Sequence, residues 1–478
     1  MRKILSILLI ALSLPMMAGI HSYADQSVLA EGKWVKIRVS ETGVCRMSFS
    51  ELQNAGLNPQ QLRVFGYGGA QLAQDFTKKK IDDLPQVPVF VGSDYVLFYV
   101  QANISWTYTG TRFAHTRNTY SDYGYYLLTD NAGSLLSPAE GDAIEGVPTD
   151  VTQYLDYQVH DYDSLNLVDR SGVSGGGRSF YGEQFNVNQR RTFTFNTPNA
   201  IEGEPSSVYA EVAASAAVNS SFYATLNGTD GKSTSIKSIP DHYTMACTGT
   251  FNFQSATEKT RQQIQLTFQC NQSGSLGWLN FIELTTPTAL TMSGSWLPIR
   301  TNVNYRTAVP VRFHLSGADA NTQIWDVTDL SAIRRMPASL NGNELTWVGT
   351  QKDGVHEYVA VRTNGNEFVN AQIIGEIKNQ NLHALKNIDY IIICPEGYEA
   401  ISTDLAKAHE TKEAITWAAV TDRQVYNEFS SGTPDATAYR WLMKMLYDRA
   451  DGNGIAKPRW LLLMGHGTFD NRQLLPPK

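Results

Sequence analysis

The chain of 478 residues is 42% hydrophobic and 18% charged, with 37 glycines and 18 prolines. That apolar fraction suffices for real cores, and the charge density is too low for a disordered tail, a collagen or a coiled coil. At roughly 100–200 residues per domain the length predicts about three domains. A formal charge of −7 gives no global basic field, so nucleic acid is not an expected partner.

The N-terminus reads as an export address. Arg2 and Lys3 precede an apolar run from Ile4 to Ile20, and Ser22-Tyr23-Ala24 supplies a small-residue site ahead of Asp25. Residues 1–24 are therefore expected to be a signal peptide, cleaved near Ala24. A transmembrane anchor is the rival reading, disfavoured by Pro15 and the shortness of the run. No later stretch approaches the ~20 apolar residues of a spanning helix. The mature chain is expected to be exported and acidic, in the periplasm, the outer membrane or at the cell surface.

From Asp25 to about Asn370 short runs of Val, Ile, Tyr, Phe and Thr alternate with turn residues every ten positions or so. Trp34 to Val39, Tyr95 to Val100 and Gln263 to Phe268 are predicted strands, and sandwich-like β domains are the expected outcome. One short helix is predicted over Ser48 to Ala55, where Ser48 and Glu51 have the spacing of a capping box. The predicted boundaries fall near residues 145, 300 and 384. They divide the mature chain into an N-terminal β domain (25–145), a β-sandwich (146–300), a further β domain or linker (301–384) and a C-terminal unit (385–478).

Of the four cysteines, Cys247 and Cys270 lie 23 residues apart in the β region, so either one bridge across neighbouring strands or two free thiols is expected. No CxxC or His pair suggests zinc, and neither metal nor cofactor is expected. The stretch Ser171 to Gly177 reads as a flexible loop. It lacks the Lys-Ser/Thr pair and following helix of a phosphate-binding loop. Asp82-Asp83 and Asp161-Tyr162-Asp163 read as solvated loop carboxylates rather than calcium ligands. The tyrosines of Tyr120 to Tyr126 alternate like a strand and are expected to pack.

After about Leu385 the texture changes. Tyr390 to Pro395, Trp417 to Val420 and Trp460 to Met464 read as strands, with helices predicted over Tyr398 to Glu413 and Pro434 to Arg449. Strand, helix, strand, helix, strand implies a parallel sheet. With only three strands, the unit is expected to be the first part of a larger α/β domain, a compact native C-terminus being the alternative. In such sheets chemistry gathers beyond the carboxyl ends of the strands. There Gly465-His466-Gly467 offers an accessible imidazole, Asp470 an orienting carboxylate, and Cys394 a conceivable nucleophile. The competing reading makes Cys394 a small core residue and His466 a turn residue.

Several segments together resemble the PorU-type sortases of the type IX secretion system, within the gingipain-like (C25) cysteine peptidase family. They are Trp34 to Val44, Leu62 to Gly69, Asp94 to Tyr99, Asn118 to Ser121, Arg178 to Glu183, Trp278 to Ile282, Trp325 to Thr328, Asn379 to His383, Val425 to Asp435 and Gly465 to Arg472. The resemblance implies β-rich domains followed by a partial caspase-like peptidase domain. It also implies acyl transfer through a Cys–His pair, removing C-terminal sorting signals from secreted cargo, with outer-membrane secretion components as partners. The family's His and Cys follow later in its domain, and no Cys follows His466 here. Neither residue carries over, so the catalytic set is left empty, with His466, Cys394 and Asp470 as the only candidates. An inactive N-terminal portion of such a sortase is the expected function. A non-enzymatic surface binding or assembly module, and a hydrolase using Cys394 and His466, are the alternatives.

Overall fold

The computed structural model describes residues 22–78, 80–167, 179–241, 244–450 and 457–474. Most of the expected signal peptide and the glycine-rich stretch Ser171 to Gly177 lie outside them. Antiparallel strands dominate up to residue 377 and a small α/β unit follows, so the protein is mixed and β-rich with a C-terminal α/β segment.

The N-terminal sheet runs Gln372–Ile377, Trp34–Val39, Gly124–Thr129, Arg63–Phe65, Gln86–Val87. A second, three-stranded sheet contains Gly43–Ser48, Tyr95–Val100 and Phe90–Val91. The short helix Phe49–Asn54 forms where predicted. The Ser48 hydroxyl accepts from the Glu51 N–H, and the Glu51 carboxylate accepts from the Ser48 N–H.

The middle of the chain is a sandwich. One sheet orders Gln153–Asp161, Leu276–Ala289, Pro205–Ser215 and Cys247–Ala256; the other orders Arg190–Asn196, Arg261–Gln269, Ser220–Leu226 and Thr229–Ile236. Alternation along Arg261–Gln269 sends Ile264, Leu266 and Phe268 inward, where they meet Phe185, Phe222, Leu279 and Ile282. A further pair of sheets packs around Phe313, Trp347 and Tyr358, the Phe313 and Trp347 rings stacking at 4.7 Å.

Sheet pairing crosses the divisions suggested by composition. Thr149–Val151 pairs with Val311–Leu315, Ala139–Glu140 with Arg334–Arg335, and Trp296–Arg300 with Glu357–Arg362. Gln372–Ile377 returns over more than 330 residues to the edge of Trp34–Val39. Turn-rich texture marks where strands end, and it carries no information on which distant strand completes a sheet.

The cysteine expectation resolves to free thiols. Cys247 sits on a strand of one sandwich sheet, whereas Cys270 follows a strand of the other. Neighbours in sequence thus diverge across the sandwich. The Cys247 thiol lies 3.7 Å from the Ser238 carbonyl, and the Cys270 thiol 3.3 Å from the Ser275 hydroxyl.

In the C-terminal segment, β1 (Tyr390–Cys394), α1 (Glu399–Glu413), β2 (Trp417–Thr421), α2 (Asp422–Phe429), α3 (Thr437–Ala450) and β3 (Trp460–Leu463) follow in order. The three strands are parallel, with β1 central between β2 and β3. Ile392 packs with Ala406 of α1 on one face, and Ile391 and Ile393 pack with Trp441 and Leu442 of α3 on the other. Helix α2 was not expected. Thr421 opens it with a capping box to Gln424, directly after β2. On β3, Leu461 and Leu463 are 41% and 53% exposed. No helix among the described residues is long and apolar enough to cross a membrane.

Candidate functional site

A cleft of about 1300 Å³ opens at the carboxyl ends of the parallel strands. Ile393, Cys394 and Pro395 end β1 on its floor, Tyr439, Arg440 and Met443 of α3 form one wall, and Gly465 to Thr468 form another. Phe76 and Tyr120 from the N-terminal domain close the remaining side. The cleft is thus shared between the α/β segment and the β domain, a common position for a binding site.

The structure places Cys394 and His466 on this cleft without making them a pair. Cys394 is only 1% exposed, and its thiol points to the Val420 carbonyl at 3.6 Å. His466 is exposed in the turn after β3. Among the described residues no hydrogen bond or ion pair joins His466 to Cys394 or Asp470. The Asp470 N–H donates to the Thr468 hydroxyl and its carboxylate accepts from the Leu474 N–H, which fixes the turn itself. The thiol thus rests against a neutral carbonyl rather than beside a basic partner.

Beyond Asp470, Arg472 anchors this turn to the rest of the protein. Its side chain, 4% exposed, donates to Asp122 at 2.8 Å and pairs with Asp163. Asp163 and Asp161 are therefore not solvated loop carboxylates. Asp161 lies 3.0 Å from His115 Nε2 and 3.0 Å from Arg117 Nε, while His115 Nδ1 lies 2.7 Å from Glu283. Burial disfavours the His115 imidazolium, yet hydrogen bonds to Asp161 and Glu283 push its pKa up to about 9. Burial acts the other way on Asp161, but the bonds and charges of His115 and Arg117 hold its carboxyl below the usual value.

Asp82 and Asp83 likewise leave the solvent. Asp83 is 5% exposed and accepts from the Ser27 hydroxyl and the Val28 N–H. Both aspartates flank His383, whose Nδ1 lies 2.6 Å from Glu428 and whose Nε2 lies 3.2 Å from Asp82. Asp83, His383 and Glu428 bring three potential ligand atoms within 4.8 Å. At 2.6 Å, however, a proton already lies between nitrogen and oxygen, and both Glu428 oxygens accept further bonds from Gln380, Leu382 and His383. We assign the cluster to a buried ion pair, not to a cation.

The segment after α2 completes this seat. The Ser431 hydroxyl accepts from the Tyr67 and Gly68 N–H groups and donates to the Tyr125 carbonyl. Gly66 is required for this approach, because a Cβ there would stand 2.5 Å from the Ser431 hydroxyl oxygen and its φ is +129°. Thr433 donates to the Gly68 carbonyl, Asp435 accepts from the Leu72 N–H, and Lys36 donates to Asn427 and to the Gly432 carbonyl. Burial lowers the Lys36 pKa to about 7, assisted by nearby Arg423. Sequence reasoning missed these residues. The available signal was a Glu and an Asn at positions 427–428 on the apolar face of an amphipathic octapeptide.

Residues 383–478 match the family model "Peptidase family C25", so fold and segment together define a β-rich protein whose C-terminal α/β segment is similar to that family. Its structural likeness then becomes more particular: the chain is PorU-like. It superposes on the crystal structure of dimeric latent PorU from Porphyromonas gingivalis with a TM-score of 0.83 and 27% identity, over 95% of this chain and 43% of that one. The chain thus spans less than half the length of that PorU. A carbohydrate-binding module, CBM35 from Cellvibrio japonicus Abf62, aligns with 28% of this chain and 97% of its own at 11% identity and a TM-score of 0.20. No curated protein matches the sequence.

Proposed function

We propose that this chain forms the β-domain scaffold and the first α/β segment of an exported C25-type cysteine peptidase. Such an enzyme acts as a sortase on the C-terminal signals of secreted cargo at the cell surface, alongside outer-membrane secretion components. The cleft at the strand ends receives the extended peptide. The nucleophilic Cys and its His partner belong to sequence outside the described residues, and the polypeptide alone does not turn over substrate. One observation carries this reading: a cleft sits where the fold places chemistry, yet among the described residues the one thiol that lines it is buried against a carbonyl and its histidine stands apart. In such an enzyme a thiolate attacks the scissile carbonyl, a histidine transfers the proton, and water or an amine resolves the thioester.

Purified chain incubated with a sorting-signal peptide is expected to give no cleavage with or without a thiol alkylator. Thiol-dependent cleavage that disappears in Cys394→Ser would overturn the inactivity claim and revive the Cys394–His466 pair. The same buried thiol suits a non-enzymatic assembly module. That reading predicts capture of secretion components by residues 25–370 as well as by the whole chain.

A further inference from the structure

The joint between the α/β segment and the N-terminal domain has an ionisable centre with no catalytic part to play. His383 is fully buried, and its ring stacks on Phe429 at 4.7 Å and 6°. Both ring nitrogens face carboxylate oxygens: Nδ1 faces Glu428 at 2.6 Å, with Asp83 at 3.9 Å, and Nε2 faces Asp82 at 3.2 Å. Ionised carboxylates only accept hydrogen bonds, so each nitrogen needs its own proton. A neutral ring would leave one lone pair against an anion in a dry interior, an arrangement much costlier there than in water.

The carboxylates come from both sides of the joint. Asp82 and Asp83 belong to the loop before the strand Gln86–Val87 of the N-terminal domain, whereas Glu428 lies on α2 and His383 enters the peptidase segment. We propose that His383 is a charge latch, an imidazolium that seats the C25 segment on the β domain and loosens that seat when its proton is lost.

Every charged neighbour bears on the pH response. Arg449 of α3 donates to the His383 carbonyl, Lys80 lies within electrostatic range of Asp82 and Asp83, and Lys36 bonds to Asn427 of α2. Tyr67 and Tyr23 lie within electrostatic range of Asp82. Burial lowers Lys80 to about 8 and Lys36 to about 7, so the cost of enclosing these amines in the folded joint is relieved as pH rises. His383 opposes them. Its pKa is raised to about 9, with burial outweighed by the Asp82 and Glu428 bonds. Its contribution is full below 6.5 and is lost as pH climbs through that raised value.

Hydrogen exchange on the full chain tests the latch, with labelling times scaled to intrinsic rates between pH 7 and pH 10. Because relief of the buried Lys36 and Lys80 acts in the opposite direction, the readout is the ratio of wild-type to His383→Gln protection, which in peptides within 66–78 and 424–433 is expected to fall roughly tenfold or more from pH 7 to pH 10, while in those within 208–214 and 264–268 of the sandwich it stays near one. His383→Gln is expected to lower joint protection at pH 7 and to leave it near wild type at pH 10. Asp82→Asn, a milder change that keeps Glu428 and Asp83, is expected to move the loss to lower pH. A wild-type to His383→Gln protection ratio that is the same at pH 7 and pH 10, or an Asp82→Asn profile superimposable on wild type, would overturn the proposal.

Discussion

The sandwich and the seat of the C25 segment are held by different physics. In the sandwich two sheets drawn from one stretch of chain close over Phe222, Phe268, Ile264 and Leu279, and alternation alone places these groups inside. Apolar burial of this kind is large and non-directional. The seat mixes an apolar patch, in which Leu72 and Phe76 meet Trp441, with half-buried Lys36 and buried His383, Asn427, Glu428, Ser431 and Asp435. Each of these polar groups has a named partner on the other side of the joint or along its rim. Apolar surface would tolerate sliding, whereas matched polar groups accept one orientation and make it depend on charge.

The largest test of that contrast is Trp441→Ala. Trp441 is 1% exposed, meets Phe76 edge-on at 5.0 Å and donates to the Ala73 carbonyl. Its loss is expected to cost about 3–5 kcal/mol in the α/β segment. Calorimetry should then resolve an early transition for the segment and an unmoved one for the sandwich; a single shifted transition would mean that both regions unfold as one.

Next comes the His115 ion-pair cluster, which joins the hairpin strand Phe113–Arg117 to the sandwich through Asp161 and Glu283. Its pKa is raised to about 9, so its stabilisation, on the order of 2–3 kcal/mol, is complete below pH 6.5 and lost as pH rises through 9. Urea midpoints at pH 7 and pH 10 should show this in wild type and far less in His115→Gln. Thr421→Ala is a smaller change. Removing the α2 cap should cost about 1 kcal/mol and raise exchange at residues 422–425 only. Smallest of all is Arg423→Gln: the Arg423–Glu396 pair is 67% and 57% exposed, so less than about 0.5 kcal/mol is expected in the melting of the segment.

These groups differ in how visible they were from sequence. The Ser48–Glu51 box and the apolar runs of β1, β2 and β3 were legible because capping and strand burial are local patterns. Helix α2 escaped because eight residues give barely two turns of periodicity, and the Thr421–Gln424 box was the sole local sign. The cleft was legible as the carboxyl edge of a parallel sheet. The ion-pair clusters were not: Asp82 and His383 are 301 residues apart, and aspartates that look solvated in sequence are buried by a segment that folds over them later. The cysteines fail for the converse reason, since proximity along the chain hid a divergence between sheets.

The pairing of Gln372–Ile377 with Trp34–Val39 also has a temporal meaning. A chain emerging from its amino end offers Trp34–Val39 with one flank unzipped until some 330 residues have followed, including the whole sandwich. Closing so long a loop adds little entropy per extra residue but delays the contact, and an unzipped flank attracts the wrong neighbour meanwhile. The first sheet is therefore expected to be completed only after the sandwich, acting as a clasp that shuts once everything between its two halves is in place.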